Sequence, residues 1–173
     1  MRIAVTGSIA TDHLMTFPGK FTDQLIAEKL DRVSLSFLVD ELAIRRGGVA
    51  ANIAFGLGVL GLRPLLVGGV GADFEDYRQW LENHGVSTAG VRESLLKHTA
   101  RFVCTTDEDG NQIGSFYAGA MSEDAEIKLA PLAEPAEPGA LLIASTPNGM
   151  CLQPRRRHFL LLGRTAPGGN KTF

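Results

Sequence analysis

Two adjacent glycines followed by an asparagine have the residue types and spacing best suited to ligand binding in this sequence. Gly47 and Gly48 stand at the start of a predicted helix, and Asn52 follows Gly48 by about one helical turn. A missing Cβ lets a ligand approach the backbone, and free N–H groups beside an amide suit a ligand rich in hydroxyls. The alternative is a tight turn into a buried helix, with the Asn52 amide satisfied by backbone.

An acidic residue, Asp12, follows the first predicted strand (residues 2–7) and the small residue Ser8. Open α/β sheets bind ligands at the carboxyl ends of their strands, so this carboxylate is expected at a binding edge. It could accept two hydrogen bonds from vicinal hydroxyls, a geometry suited to ribose. The alternative is a solvated loop aspartate.

Two phenylalanines, Phe102 and Phe116, lie on strands predicted over 100–106 and 112–117. The segment Asp107–Gly110 between them has the Asp-Gly chemistry of a hairpin turn. Two aromatic faces could hold a flat purine between them. The alternative is that both rings belong to an ordinary hydrophobic core.

Two glycine-rich segments resemble known sequence motifs, and we reject both matches. Gly56–Gly61 has the spelling of the dinucleotide-binding motif Gly-x-Gly-x-x-Gly, but it falls at the end of a helix, where small residues favour close packing. Gly69–Asp73 resembles the sequence Gly-Ala-Gly-Asp, but it is a strand end that runs into a helix start, and we expect Asp73 to cap that helix.

Strands alternate with helices along the chain, which predicts an α/β fold with a parallel sheet and right-handed crossovers. The expected helices are a short one or a loop over 21–30, one from Gly48 to about Leu60, one from Asp73 to about Gly85, and a weak one over 127–132. The further expected strands cover 11–18, 32–39, 42–45, 64–70 and 140–145, and residues 131–138 are expected to form a loop.

Composition limits the classes of function. The formal net charge of −2 argues against nonspecific nucleic-acid binding, and no apolar run is long enough to span a bilayer. Cys104 and Cys151 show no metal-ligand spacing, nor do the four histidines, so we expect a reduced, cytoplasmic protein without a metal site. All 19 acidic residues precede residue 138, whereas residues 149–173 are basic and without periodicity. We expect that tail to be non-homologous, and either frameshifted or disordered.

The first strand, Asp12, the Gly-Gly-x-x-x-Asn segment and Val67–Asp73 together resemble the N-terminal half of the ribokinase-like (phosphofructokinase-B type) sugar and nucleoside kinases. The resemblance is closest to bacterial adenosine kinases and covers roughly residues 1–145. It implies one domain part over 1–148, with a small β lid from strands near 11–18 and 31–46 and a substrate-side hairpin over 100–117.

The resemblance also implies roles for particular residues. The family transfers the γ-phosphate of ATP, with Mg²⁺, to a sugar or nucleoside hydroxyl, here adenosine or a related ribosyl compound, and its lids often pair in homodimers. The implied substrate-side residues are Ser8, Asp12, Gly47, Gly48, Asn52, Phe102 and Phe116. The family's catalytic aspartate lies in a Gly-Ala-Gly-Asp sequence that does not occur after Asn148. We therefore assign no catalytic residue, and we expect the chain to lack most of the ATP site and to be inactive alone.

Two other classes of protein stay open at this point. One is a noncatalytic ribose- or nucleoside-binding or interaction module. The other is a dinucleotide-binding oxidoreductase domain, which the position of the glycines at a helix end disfavours.

Overall fold

The structure is a computed structural model that describes residues 3–25 and 35–128, and the backbone of two further strands. The chain divides into two compact units, described separately below. The core unit comprises residues 1–10, 47–100 and 118–173, and the small unit comprises residues 11–46 and 101–117.

The secondary structure alternates between strands and helices, as the sequence predicts. The strands are β1 (Ile3–Gly7), β2 (Ala10–Thr16), β3 (Glu41–Gly47), β4 (Leu65–Val70), β5 (Ser87–Glu93), β6 (Ala100–Thr106), β7 (Gln112–Tyr117), β8 (Leu141–Ser145) and β9 (Leu161–Leu162). The α-helices are α1 (Phe21–Gln24), α2 (Val49–Val59) and α3 (Glu75–Asn83), and two 3₁₀ helices cover Ala72–Phe74 and Gly119–Glu126.

The core unit is built on a parallel sheet with the strand order β5-β4-β1-β8-β9. β1 pairs with β4 on one side and with β8 on the other, with Val5 opposite Leu66 and Ile143. Strands that are buried on both faces read as continuous apolar runs, which explains why β1 and β4 are so apolar in sequence. The α/β class with a parallel sheet is confirmed.

The hydrophobic core of this unit joins the sheet to α2 and α3. From α2, Ala50, Ala51 and Ala54 are fully buried, and they pack with Val5, Leu66 and Leu81 among other residues. A Cβ on Gly58 would overlap the carbonyl oxygen of His84, just after α3. Gly58 thus serves close packing of α2 against the end of α3, as we predicted when rejecting the dinucleotide motif, whereas a Cβ on Gly56 or Gly61 would meet no heavy atom within 4 Å.

The small unit is a four-stranded sheet with the order β3-β2-β6-β7. β6 and β7 form the predicted antiparallel hairpin, whose turn is held by Asp107. Next to the sheet, Phe17, Phe21 and Phe37 form an aromatic cluster with ring centroids 4.8–5.8 Å apart. This cluster gives the unit a small apolar centre of its own.

Several predicted elements are wrong. Residues 35–39 alternate in burial but form no strand, because a strand needs a hydrogen-bonded neighbour as well as an alternating pattern, and β3 begins only at Glu41. The sequence analysis missed β5 altogether. Residues 127–128 are not helical, and the short helix precedes them at Gly119–Glu126.

Predictions for 26–34, 129–140 and most of 149–173 fall outside the described residues.

Candidate functional site

The start of α2 is shaped by Gly48. This residue has φ +93° and ψ 131°, a backbone conformation that side-chain-bearing residues rarely adopt. A Cβ there would lie 2.5 Å from the Ser8 carbonyl oxygen, 2.7 Å from the Ala10 nitrogen and 2.8 Å from the Ile9 Cα. The missing Cβ therefore admits the chain's own backbone between β1 and β2. Approach of a ligand at the same place stays a prediction.

Ser8 closes the N-terminus of α2. The Val49 N–H donates to the Ser8 hydroxyl oxygen (2.8 Å), and the Ala50 N–H donates to the Ser8 carbonyl oxygen (3.1 Å). Two N–H groups that the sequence suggested were free for a ligand are thus bound within the protein. The Ser8 hydroxyl accepts one hydrogen bond there and keeps its own proton for donation.

Asn52 lies one turn further along α2. Its backbone N–H donates to the Gly48 carbonyl oxygen (3.0 Å), and its side chain is exposed. Within 3–25 and 35–128, no group forms a hydrogen bond with the Asn52 amide. Described backbone therefore does not satisfy this side chain, and binding of a ligand by the amide stays a prediction.

Tyr77 fixes the glycine pair from α3, a role that the sequence analysis missed. Its hydroxyl donates to the Gly47 carbonyl oxygen (3.0 Å), and its side chain is 4% exposed. The available signal was the spacing of Phe74, Tyr77 and Leu81 on one helical face. A buried tyrosine in such a face needs a partner for its hydroxyl.

In the small unit, Asp12 lies on β2 and is half-buried. No described residue donates a hydrogen bond to its carboxylate. Burial raises the pKa of this carboxyl group, and the neighbouring His13 opposes that rise. A partly desolvated carboxylate without protein donors gains most from donors on a ligand, so Asp12 can accept hydrogen bonds from hydroxyl groups.

The same unit brings Phe102 and Phe116 together. The two residues are direct partners across β6 and β7, so their side chains share one face of the sheet. Phe102 is half-buried, and Phe116 is 54% exposed. In the part of the chain that the structure describes, neither ring stacks on another aromatic ring. Phe116 therefore has accessible surface, which a residue of a closed core would lack.

Asp107 holds the turn of the hairpin that carries both phenylalanines. Its carboxylate accepts hydrogen bonds from the backbone N–H groups of Phe21, Asp109 and Asn111 and from the Asn111 side-chain amide. Burial alone would raise the pKa of Asp107, but these hydrogen bonds outweigh it and lower the pKa. The sequence analysis saw only the Asp-Gly turn and missed this anchor.

The rejected segment Gly69–Asp73 is occupied by the protein's own contacts. The Gly69 N–H donates to the Asp124 carboxylate (2.6 Å), and the Gly71 N–H donates to the Thr99 hydroxyl oxygen (3.0 Å). Asp73 does not cap α3 as predicted. Its carboxylate instead accepts hydrogen bonds from the backbone N–H and the hydroxyl of Thr99. The cause is the 3₁₀ turn before α3, which places Asp73 ahead of the cap position.

These features are those of a ribokinase-like α/β fold, of which the described residues form one part. The chain belongs to the pfkB family of carbohydrate kinases, whose model matches residues 9–161. The boundary that we placed at residue 148 stays a prediction.

The chain is similar to several nucleoside kinases. It is 43% identical over 84 residues to a nucleoside kinase of Methanothermobacter thermautotrophicus, covering 46% of this chain and 27% of that protein. It is 28% identical over 128 residues to a nucleoside kinase of Methanocaldococcus jannaschii, covering 73% and 39%. The chain thus spans less than half the length of these relatives.

Solved structures give the same relationship. A Burkholderia thailandensis nucleoside kinase in complex with inosine matches with a TM-score of 0.64 and 34% identity, covering 82% of this chain and 44% of that one. A Cryptococcus neoformans ribokinase in complex with ADP matches with a TM-score of 0.64 and 25% identity, covering 84% and 41%. The kinases of this family use ATP.

Among the residues that the structure describes, no helix is long and apolar enough to cross a membrane. The cytoplasmic location stays a prediction.

Proposed function

We propose that this chain supplies the nucleoside-binding part of a kinase that transfers the γ-phosphate of ATP to the 5′-hydroxyl of a purine nucleoside, most simply adenosine. The carrying observation is the pair of polar side chains, Asp12 and Asn52, that have no hydrogen-bond partner among the described residues. Inosine in the Burkholderia nucleoside kinase supports a purine nucleoside as the ligand class.

Asp12 and Asn52 have complementary roles in this proposal. The Asp12 carboxylate accepts hydrogen bonds from the ribose hydroxyls, and these donors compensate for its partial burial. The Asn52 amide both donates and accepts, so it can bind a hydroxyl in either direction. Gly47 and Gly48 form the backbone of the helix start that contacts the sugar, and Ser8 holds this start in place.

Phe102 and Phe116 recognise the base. An exposed ring with a half-buried ring opposite offers two flat surfaces to a purine. Base stacking on aromatic side chains contributes about 1–3 kcal/mol per base. This contact distinguishes a nucleoside from a plain sugar.

The chain alone does not complete the reaction. Phosphoryl transfer needs a base on the attacking hydroxyl, a metal ion and a site for the triphosphate. The sequence contains no aspartate after residue 124, and the described residues include no group of three or more acidic, histidine or cysteine side chains that could hold a metal ion. We assign no ATP or Mg²⁺ ligand to this chain. Nucleoside binding without catalysis is thus the second candidate function for the 173-residue chain.

Isothermal titration with adenosine, inosine and ribose tests the proposal. Asp12→Asn keeps the shape of the side chain but removes its charge, and we expect it to weaken the binding of all three ligands. The matched control is Asp40→Asn, which changes an exposed carboxylate of the same unit. Equal affinities for wild type and Asp12→Asn would remove Asp12 from the site.

We also propose that two copies pair through the small unit. The edge strand β3 exposes Leu42 and Ile44, which are 57% and 60% exposed and lie on one face because they are two residues apart. Pairing of such edges removes apolar surface and unpaired strand groups from water. A Leu42→Lys variant that sediments like the wild type at micromolar concentration would count against this dimer.

A further inference from the structure

Gly114 lies on β7, on the same face of the small unit's sheet as Phe102 and Phe116. Phe102 and Phe116 are direct partners across β6 and β7, and Gly114 precedes Phe116 by two residues. Residues two apart in a strand share a face, as do direct partners on neighbouring strands. The glycine is therefore a diagonal neighbour of Phe102 on the face that carries both rings.

The Phe102 ring occupies the space that a side chain at 114 would fill. A Cβ on Gly114 would lie 3.1 Å from Cε2 and 3.2 Å from Cζ of Phe102. Ordinary carbon–carbon contacts are about 3.5–4.0 Å, so an added methyl group would push the ring away. Gly114 is not among the glycines with positive φ. Gly114 therefore matters because it leaves space for the Phe102 ring, and not because it allows an unusual backbone conformation.

The Phe102 ring lies over Gly114. The ring leans diagonally over Gly114, and no described residue stacks on either phenylalanine. A glycine inside a strand weakens it and often marks a close approach. Here the close approach is that of an aromatic ring that lies against bare backbone.

We propose that Gly114 is a positioning residue for base recognition, which seats the Phe102 ring so that a flat base lies between Phe102 and Phe116. This inference rests on the proposed function, because it assumes that the two rings bind a base. An alanine at 114 shifts the ring by a few tenths of an ångström and spoils the stacking geometry while leaving the sugar contacts unchanged.

Titration of Gly114→Ala and Gly114→Val with adenosine and ribose tests the idea. We expect adenosine to bind about three- to tenfold more weakly to Gly114→Ala, as partial loss of base stacking implies, and more weakly still to Gly114→Val. Ribose affinity stays unchanged. The control is Ser115→Ala on the opposite face of β7, which changes neither affinity. A parallel loss of ribose binding would show that Gly114 supports the hairpin and would overturn the positioning role.

A double variant separates this inference from the proposed function. If Gly114 acts through the ring, Gly114→Ala has no further effect on adenosine binding in a Phe102→Leu background. An effect that persists there would overturn the inference. If Phe102→Leu weakens adenosine but Gly114→Ala does not, only the positioning role fails. If Phe102→Leu leaves adenosine binding unchanged, the base site of the proposed function fails.

Discussion

Replacing Gly48 with alanine tests the geometry at the start of α2. An alanine at φ +93° adopts a disfavoured backbone conformation, and its Cβ meets the Ser8 carbonyl oxygen at 2.5 Å. The new methyl group has no free direction, because the Ala10 nitrogen and the Ile9 Cα lie 2.7 and 2.8 Å away. All three atoms are backbone, so relief requires movement of the connection between β1 and β2.

The expected loss of stability has two parts. A non-glycine residue in such a conformation costs about 1–3 kcal/mol. Overpacking against atoms that cannot move aside costs about 1–3 kcal/mol more. Gly61 supplies the matched control, because it has φ +82° and no heavy atom within 4 Å of a Cβ. Gly61→Ala therefore carries a positive-φ cost without the contact, and the difference between the two variants reports the contact together with the difference in backbone strain.

Urea unfolding measures both variants, monitored by far-UV circular dichroism and by the fluorescence of Trp80, the single tryptophan. Trp80 stacks on Phe55 with ring centroids 4.4 Å apart, so its emission reports the packing of α2 on α3. We expect Gly48→Ala to lose about 1–3 kcal/mol more than Gly61→Ala. Equal losses in the two variants would refute the argument from contact.

Three further predictions concern charge, ligand binding and catalysis. Burial raises the pKa of Asp124 from 3.8 to about 6, so the folded state binds the proton more tightly than the unfolded state, and the free energy of unfolding falls as pH rises between these values. Asp124→Asn keeps an acceptor for the Gly69 N–H and should remove this dependence of the unfolding free energy on pH. It should also raise stability at pH 7.5 by about 2 kcal/mol, since about two pKa units correspond to at most 3 kcal/mol. An unchanged pH dependence in unfolding curves would contradict this prediction. Asn52→Ala should weaken adenosine binding by about 1 kcal/mol, as expected for one lost hydrogen bond, whereas the control Asn83→Ala at the exposed end of α3 should leave binding unchanged. Equal titration curves for Asn52→Ala and wild type would exclude Asn52 from the site. The purified chain should form no AMP from adenosine, ATP and Mg²⁺, because loss of preorganised charge stabilisation alone costs about 10²–10³ in rate; AMP formation in proportion to chain concentration would disprove the noncatalytic proposal.

The elements with strong local signals were predictable from the sequence. The helix after Gly48 has helical spacing of its apolar residues, the hairpin has an Asp-Gly turn, and the apolar run near 140–145 is short enough to favour a strand of a parallel sheet. In contrast, β5 reads Ser-Thr-Ala-Gly-Val-Arg-Glu and has little apolar pattern of its own. It becomes a strand because β4 offers it a parallel partner, which is a tertiary cause that no local window contains.

The candidate site divides in the same way. Residue types that suit a ligand could be recognised from spacing, as with Asn52 and Asp12. The residues that fix the backbone of the two units could not be recognised, because each acts across a long separation in sequence. Tyr77 contacts Gly47 from 30 positions away, and Asp107 contacts Phe21 from 86 positions away. Such pairs follow from the packing of the fold, which a single sequence does not reveal.

The hydrogen bonds of Ser8 to α2 also bear on how this fold tolerates insertion. Ser8 and Val49 are 41 positions apart, yet their contact fixes where the chain leaves the core unit and where it returns. The segment over 11–46 is therefore an excursion with both ends anchored. Lengthening such an excursion is inexpensive in chain entropy, since doubling its length costs only about 0.6 kcal/mol. An insertion within this excursion should thus leave the helix that begins at Val49 undisturbed.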